Sequence, residues 1–136
     1  MKKDISWNKI KSETKSIWAG ETDPFPYNTT QPSTVNSVAF NYKNIEEWIS
    51  VAKRDKKGHI YGRNTNPTVE ILEKKVAILE GAESATAFSS GMAAISNTMF
   101  ACLRPGDRVV VGKDTYGGTS KIFMKFLPSF NIDCSI

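Results

Sequence analysis

Apolar residues recur at spacings of three and four between Asn66 and Gly81, at Val69, Leu72, Val76 and Leu79, with polar residues between them. That period predicts an amphipathic helix. Its ends are marked too: Asn66 suits the N-cap, Pro67 the first helical position and Gly81 the C-terminal cap. Glu70, four residues ahead of Lys74, adds a favourable surface pair. Residues 84–88 (Ser-Ala-Thr-Ala-Phe) then read as a short buried strand, and Ser89-Ser90 as a turn. A second helix is predicted over residues 91–103, with Ile95, Met99 and Leu103 on one face. Pro105-Gly106-Asp107 breaks it before a strand at 108–111 (Arg-Val-Val-Val). A third helix is expected over 119–127 and a third strand from Ile132.

Strands alternating with helices indicate an α/β fold with a mostly parallel sheet. Such a sheet is covered by helices on both faces. The sequence ends at or just inside its third strand, so the domain is expected to be incomplete. Upstream the pattern is different. Residues 20–37 are rich in Pro, Thr, Asn and Ser, and Pro24, Pro26 and Pro32 fix extended backbone. They predict an arm that lies on something rather than a packed layer. One short helix is expected over 44–54, capped by Asn44. The chain therefore divides into residues 1–60, an arm with a short helix, and residues 61–136, the beginning of a larger α/β domain.

Composition narrows the function classes. Of 136 residues, 40% are hydrophobic and 24% charged, as in ordinary globular proteins. No apolar run approaches the roughly 20 residues that cross a bilayer. The start, Met1 to Trp7, carries two lysines without an apolar stretch behind them, unlike a secretory signal. Cys102 and Cys134 have no metal-ligand spacing and sit in apolar segments, so both are expected to be reduced, buried thiols of a cytoplasmic protein. The net charge of +4 raises nucleic acid as a partner. Its densest run, Lys53-Arg54-Asp55-Lys56-Lys57, is interrupted by an acid and has no interleaved aromatics, which fits a solvated loop. Neither nucleic acid nor membrane is expected.

Three segments carry candidate chemistry. Ser89-Ser90-Gly91-Met92 joins a strand to a helix, where free N–H groups and the positive helix end suit a phosphate. Small residues at such turns are common, and the segment lacks the dinucleotide and P-loop motifs. Tyr61-Gly62-Arg63-Asn64-Thr65-Asn66-Pro67-Thr68 places an arginine, which matches phosphate oxygens bidentately, two residues after a tyrosine. A surface loop with a helix cap explains the same residues. Asp114-Thr115-Tyr116-Gly117-Gly118-Thr119 follows a strand end, where ligands of open α/β sheets bind and where the Tyr116 ring suits stacking on an aromatic cofactor. A core tyrosine at a turn is the alternative.

Taken in order, Tyr-x-Arg-x-x-Asn-Pro-Thr, a helix ending Leu-Glu-Gly, Ser-Ser-Gly-Met-Ala-Ala, Pro-Gly-Asp and Tyr-Gly-Gly-Thr resemble the N-terminal part of the transsulfuration, or cystathionine γ-synthase-like, family. These are pyridoxal-phosphate (PLP) enzymes of cysteine and methionine metabolism with a fold-type I, aspartate-aminotransferase-like large domain. The likeness is dense from Ile60 to Leu127. Upstream, Thr14 to Gly20, Asp23-Pro24 and Pro32 to Phe40 resemble the family's extended arm. The resemblance implies that Tyr61 and Arg63 reach the PLP phosphate of a neighbouring subunit in a dimer or tetramer. It implies that Gly91 and Met92 give backbone donors to the phosphate, with Ser90 beside them. Tyr116 would stack on the pyridine ring and assist proton transfer, and the substrate would be a small amino acid.

The chain also departs from the family. No lysine here sits in the motif that bonds the cofactor, so the chain is expected to be inactive by itself. Lys121 stands where many members have arginine, Pro32 to Ser37 replaces an aromatic-threonine-serine run, and Trp18-Ala19-Gly20 replaces a histidine-containing triplet. The lone His59 has no partner in the sequence that would make it a base. The lack of a cysteine after the tyrosine turn points away from methionine γ-lyase, leaving γ-replacement, γ-elimination, β-elimination and sulfhydrylation open. The alternative is a non-catalytic partner that donates Tyr61 and Arg63 to another chain's site.

Overall fold

The structure, a computed structural model, describes residues 5–21 and 24–136, so Asp23 of the expected arm lies outside the described residues. The chain forms two compact units, Met1–Ala87 and Phe88–Ile136.

The first unit holds helices α1 (Ser12–Trp18), α2 (Ile45–Ala52) and α3 (Pro67–Glu80). The arm does lie on something. Ala19 is fully buried, and Gly20 meets α3 so closely that a Cβ would stand 2.8 Å from the Ile71 carbonyl oxygen. Lys75 Nζ fastens the same junction, donating to the Ile17 carbonyl at 2.8 Å and to Glu21 Oε1 at 2.6 Å. Further along, Asn66 does two jobs. Its Oδ1 caps α3 by accepting from the Thr68 N–H, and its Nδ2 donates to the Val35 carbonyl, each at 2.9 Å. Thr68 Oγ1 in turn accepts from the Val35 N–H. Gly81 ends α3 in the left-handed conformation, φ +67°.

α2 begins where its cap requires, Asn44 Oδ1 accepting from the Glu47 N–H at 2.8 Å. It ends two residues before the expected point because Arg54 turns left-handed, φ +66°. The basic run that follows is fully on the surface; Lys56 pairs with Glu47, and Lys57 lies 3.8 Å from Glu70. The His59 Nε2 lies 3.5 Å from Glu70 Oε2. Residues 84–88 form no strand. They carry no regular secondary structure and are mostly exposed, and the Ala87 N–H donates to Glu73 Oε1 rather than to a neighbouring strand. Without a ladder partner among the described residues, a β-prone run remains a connector.

The second unit holds α4 (Gly91–Cys102), β1 (Arg108–Val110), α5 (Gly117–Lys121) and β2 (Asp133–Ser135). β1 and β2 pair in parallel, with Arg108 opposite Asp133 and Val110 opposite Ser135. Phe123, Leu127 and Ile132 form its core, with Met99, Leu103, Val109 and Val111 packed against them. Met99 comes from the predicted apolar face of α4, and Leu103, expected on the same face, is the C-cap just past its end. Cys134 is half-buried, and burial, with Asp133 beside it, pushes its thiol pKa up. Cys102 contradicts the expectation of a buried thiol; it is exposed at the end of α4. The third helix starts earlier and ends differently. α5 runs into a wider turn at Ile122–Phe126, where the Leu127 N–H bonds the Ile122 carbonyl five residues back, and then into a tight turn at Leu127–Phe130. Pro128 accounts for this, since its ring clashes with a carbonyl four residues back and it has no N–H to give.

No described helix is long and apolar enough to cross a membrane, and no metal-binding cluster of His, Cys, Asp and Glu occurs among the described residues.

Candidate cofactor-binding site

In the second unit, Ser90 takes extended φ/ψ and its Oγ accepts from the Ala93 N–H at 3.1 Å, which starts α4. The N–H groups of Gly91 and Met92 are left in the first turn, where no intrahelical acceptor exists. A Cβ at Gly91 would meet nothing within 4 Å, so the space beside that residue is open. With the Ser90 hydroxyl hydrogen still available, the turn offers three donors and the positive end of a 12-residue helix.

The start of α5 packs beside it. Tyr116 precedes the helix, and its carbonyl accepts from the Ser120 N–H at 2.9 Å. The residue is 75% exposed, which rules out the core-tyrosine alternative. Gly118 explains how the two segments meet. A Cβ there would stand 2.9 Å from Tyr116 Cε1 and 3.1 Å from Met92 Sδ. Thr119, nearly buried, brings its Oγ1 to 3.8 Å from the same sulfur. The structure thus groups Ser90, Gly91, Met92 and Tyr116, and the residues that join them are Gly118 and Thr119. Sequence reasoning read those two only as part of a turn; the double glycine after the tyrosine was the available signal.

In the first unit, Tyr61 and Arg63 sit together. Residue Tyr61 bridges Ala39 in antiparallel fashion, and the Gly62 N–H donates to the Val38 carbonyl at 2.7 Å. The Asn64 and Thr65 N–H groups both bond back to the Tyr61 carbonyl, which curls the loop. That curl sets the Arg63 guanidinium carbon 5.3 Å from the centre of the Tyr61 ring, a cation–π contact. Both side chains are exposed, and among the described residues no carboxylate pairs with Arg63.

Backbone donors at a helix start, an open approach and an exposed aromatic ring fit a phosphorylated aromatic cofactor. The fold itself is that of the fold-type I PLP enzymes. The metB protein of Corynebacterium glutamicum superposes with a TM-score of 0.83 at 34% identity, over 96% of this chain and 32% of that one. A putative O-acetylhomoserine (thiol)-lyase from Campylobacter jejuni, solved with N'-pyridoxyl-lysine-5'-monophosphate, gives the same TM-score at 25% identity, over 93% of this chain and 31% of that one. The chain belongs to the Cys/Met metabolism PLP-dependent enzyme family, which it matches over residues 13–136. Among curated relatives it is 37% identical to the O-acetyl-L-homoserine sulfhydrylase of Corynebacterium glutamicum, over 90% of this chain and 28% of the relative. It is also 37% identical to an L-methionine gamma-lyase of Fusobacterium nucleatum, over 88% of this chain and 30% of that protein. The chain therefore spans about a third or less of the proteins it matches.

Proposed function

We propose that this chain is the N-terminal part of a PLP-dependent enzyme of cysteine and methionine metabolism, of the cystathionine γ-synthase/γ-lyase type, acting on a small amino acid. PLP, when bound, supplies an electron sink for charge developing on the amino acid. The chain's own residues bind and orient it. Gly91 and Met92 N–H, with Ser90 Oγ, hold the phosphate, and Tyr116 stacks on the ring while its Oη moves a proton. None of the lysines here stands in the motif that bonds the cofactor, so the covalent anchor comes from outside these residues. The observation that carries the reading is the junction at Gly118, where the Tyr116 ring and Met92 meet beside an open helix start.

Tyr61 and Arg63 extend this reading to a homo-oligomer. An exposed guanidinium, ordered by a ring and without a carboxylate among the described residues, is prepared for an external anion. The pair serves the phosphate of a neighbouring subunit. One O-acetyl-L-homoserine sulfhydrylase and one L-methionine gamma-lyase are each 37% identical to the chain, so both sulfhydrylation and γ-elimination fit this reading.

The test is PLP affinity, read by the change in cofactor absorbance on titration. Tyr116→Phe keeps the stacking face and should bind as the parent does. Tyr116→Ala removes it and should weaken binding by about 1 kcal/mol, the size of an aromatic pair. Equal affinity for Tyr116→Ala and parent would place the ring elsewhere.

A further inference from the structure

The loop carrying Tyr61 and Arg63 hangs on a short ladder. Two backbone bonds tie it to the arm, Phe40 N–H to the Ile60 carbonyl at 3.2 Å and Gly62 N–H to the Val38 carbonyl at 2.7 Å. Where that ladder would reach its next pair, a side chain takes over. Tyr42 Oη donates to the His59 carbonyl at 2.7 Å and accepts from the His59 N–H at 3.1 Å. One hydroxyl thus satisfies both polar groups of a single residue, as a paired strand residue would. It is half-buried there, between α2 and the loop.

The sequence makes room for this contact. A Cβ at Gly58 would fall 2.5 Å from Tyr42 Oη and 3.0 Å from Val51 Cγ1. Only glycine lets the hydroxyl reach the backbone of the next residue. The other side of His59 is also engaged: its ring lies 5.4 Å from that of Phe40, and its Nε2 faces Glu70. The backbone two residues before Tyr61 is therefore held by a bond that a phenylalanine would lack.

We infer that Tyr42 is a positioning residue for the phosphate clamp, fixing through His59 the segment from which Tyr61 and Arg63 project. This rests on the reading that Arg63 binds the cofactor phosphate. Tyr42→Phe keeps the ring and removes only the hydroxyl. Loss of these bonds loosens the segment, so the clamp is ordered at the moment of binding rather than before it.

The experiment compares the full chain with Tyr42→Phe, Arg63→Ala and the double variant, titrating each with PLP and with pyridoxal, which lacks the phosphate. Tyr42→Phe should weaken PLP about two- to tenfold, the net worth of a hydrogen bond, and leave pyridoxal unchanged. In the Arg63→Ala background it should add nothing further. Amide hydrogen exchange supplies the second readout. His59 and Gly62 should exchange faster in Tyr42→Phe while α3 amides keep their rates. Loss of affinity for both ligands, or faster exchange throughout α3, would show a general structural role and overturn the inference. PLP affinity that falls with Arg63→Ala but not with Tyr42→Phe would overturn it as well, leaving the clamp intact. PLP affinity indifferent to Arg63→Ala would sink the clamp reading itself, and the inference with it.

Discussion

Glu70 shows what one carboxylate does in this chain. Partial burial alone would raise its pKa, but Lys74 Nζ at 2.9 Å, with Lys57 at 3.8 Å and His59 at 3.5 Å, outweighs that and holds it below the usual carboxylate range. A carboxyl whose folded pKa is depressed stabilises the fold above its unfolded pKa, about 4.3, and loses that contribution as pH falls through the folded value. The side chain is 29% exposed, and screening leaves about 0.3–0.5 kcal/mol, as for other helix pairs. Amide-exchange protection in α3 should therefore be slightly higher in the parent than in Glu70→Gln at neutral pH. The difference should vanish below the carboxyl pKa and shrink in high salt. A difference that persists in acid would assign the effect to packing rather than charge. Gly118 works at the same scale by steric means, since the atoms a Cβ would meet are the flexible ends of Tyr116 and Met92. Substitution there moves the site's side chains and leaves the fold.

Among the elements, the junction of α1 with α3 has the least freedom. Gly20 combines a φ of +80° with a backbone carbonyl 2.8 Å from where a Cβ would stand, so neither rotation nor a side-chain shift relieves the clash. Gly20→Ala should cost about 1–3 kcal/mol at this junction and release α1. Limited trypsin digestion should then cleave after Lys15 much faster, while cleavage after Lys113 in the second unit stays at the parent rate. Unchanged cleavage at Lys15 would mean that Lys75 alone holds the arm. α3 was legible because its signals are local: Asn66, Pro67 and Gly81 fix both ends within one segment. Residues 84–88 form no strand because a strand is defined by its partner, which a short β-prone run does not name. Ser90, Gly91, Met92 and Tyr116 are proposed from motif order, and the structure places them in one unit. Tyr42 was missed because its hydroxyl acts on the backbone of His59, 17 residues away, a pairing no spacing rule reveals.

At the scale of the whole molecule, the apolar stripe that predicts α3 is the surface left uncovered. Val69, Leu72, Val76 and Leu79 are 40–54% exposed, while Ala77 is the buried residue of that helix. In the second unit Phe100, Phe126 and Phe130 pack edge-to-face on one another and remain nearly half exposed. Among the described residues, the buried hydrophobics are Ala19, Val51 and Ala77 in one unit and Phe123, Leu127 and Ile132 in the other. Fully burying a large apolar side chain contributes about 1.5–3 kcal/mol, whereas ordering the backbone costs about 1–2 kcal/mol for every residue. Cores this small do not offset ordering in units of 87 and 49 residues, so neither should unfold as a sharp two-state body. The isolated chain should melt broadly in calorimetry and self-associate in sedimentation, through the α3 stripe and the phenylalanine cluster. Leu72→Lys with Val76→Glu should reduce self-association without sharpening the melt, since charge on the stripe removes the sticky surface but adds no core. A cooperative monomeric transition in the parent chain would show that these few buried residues suffice.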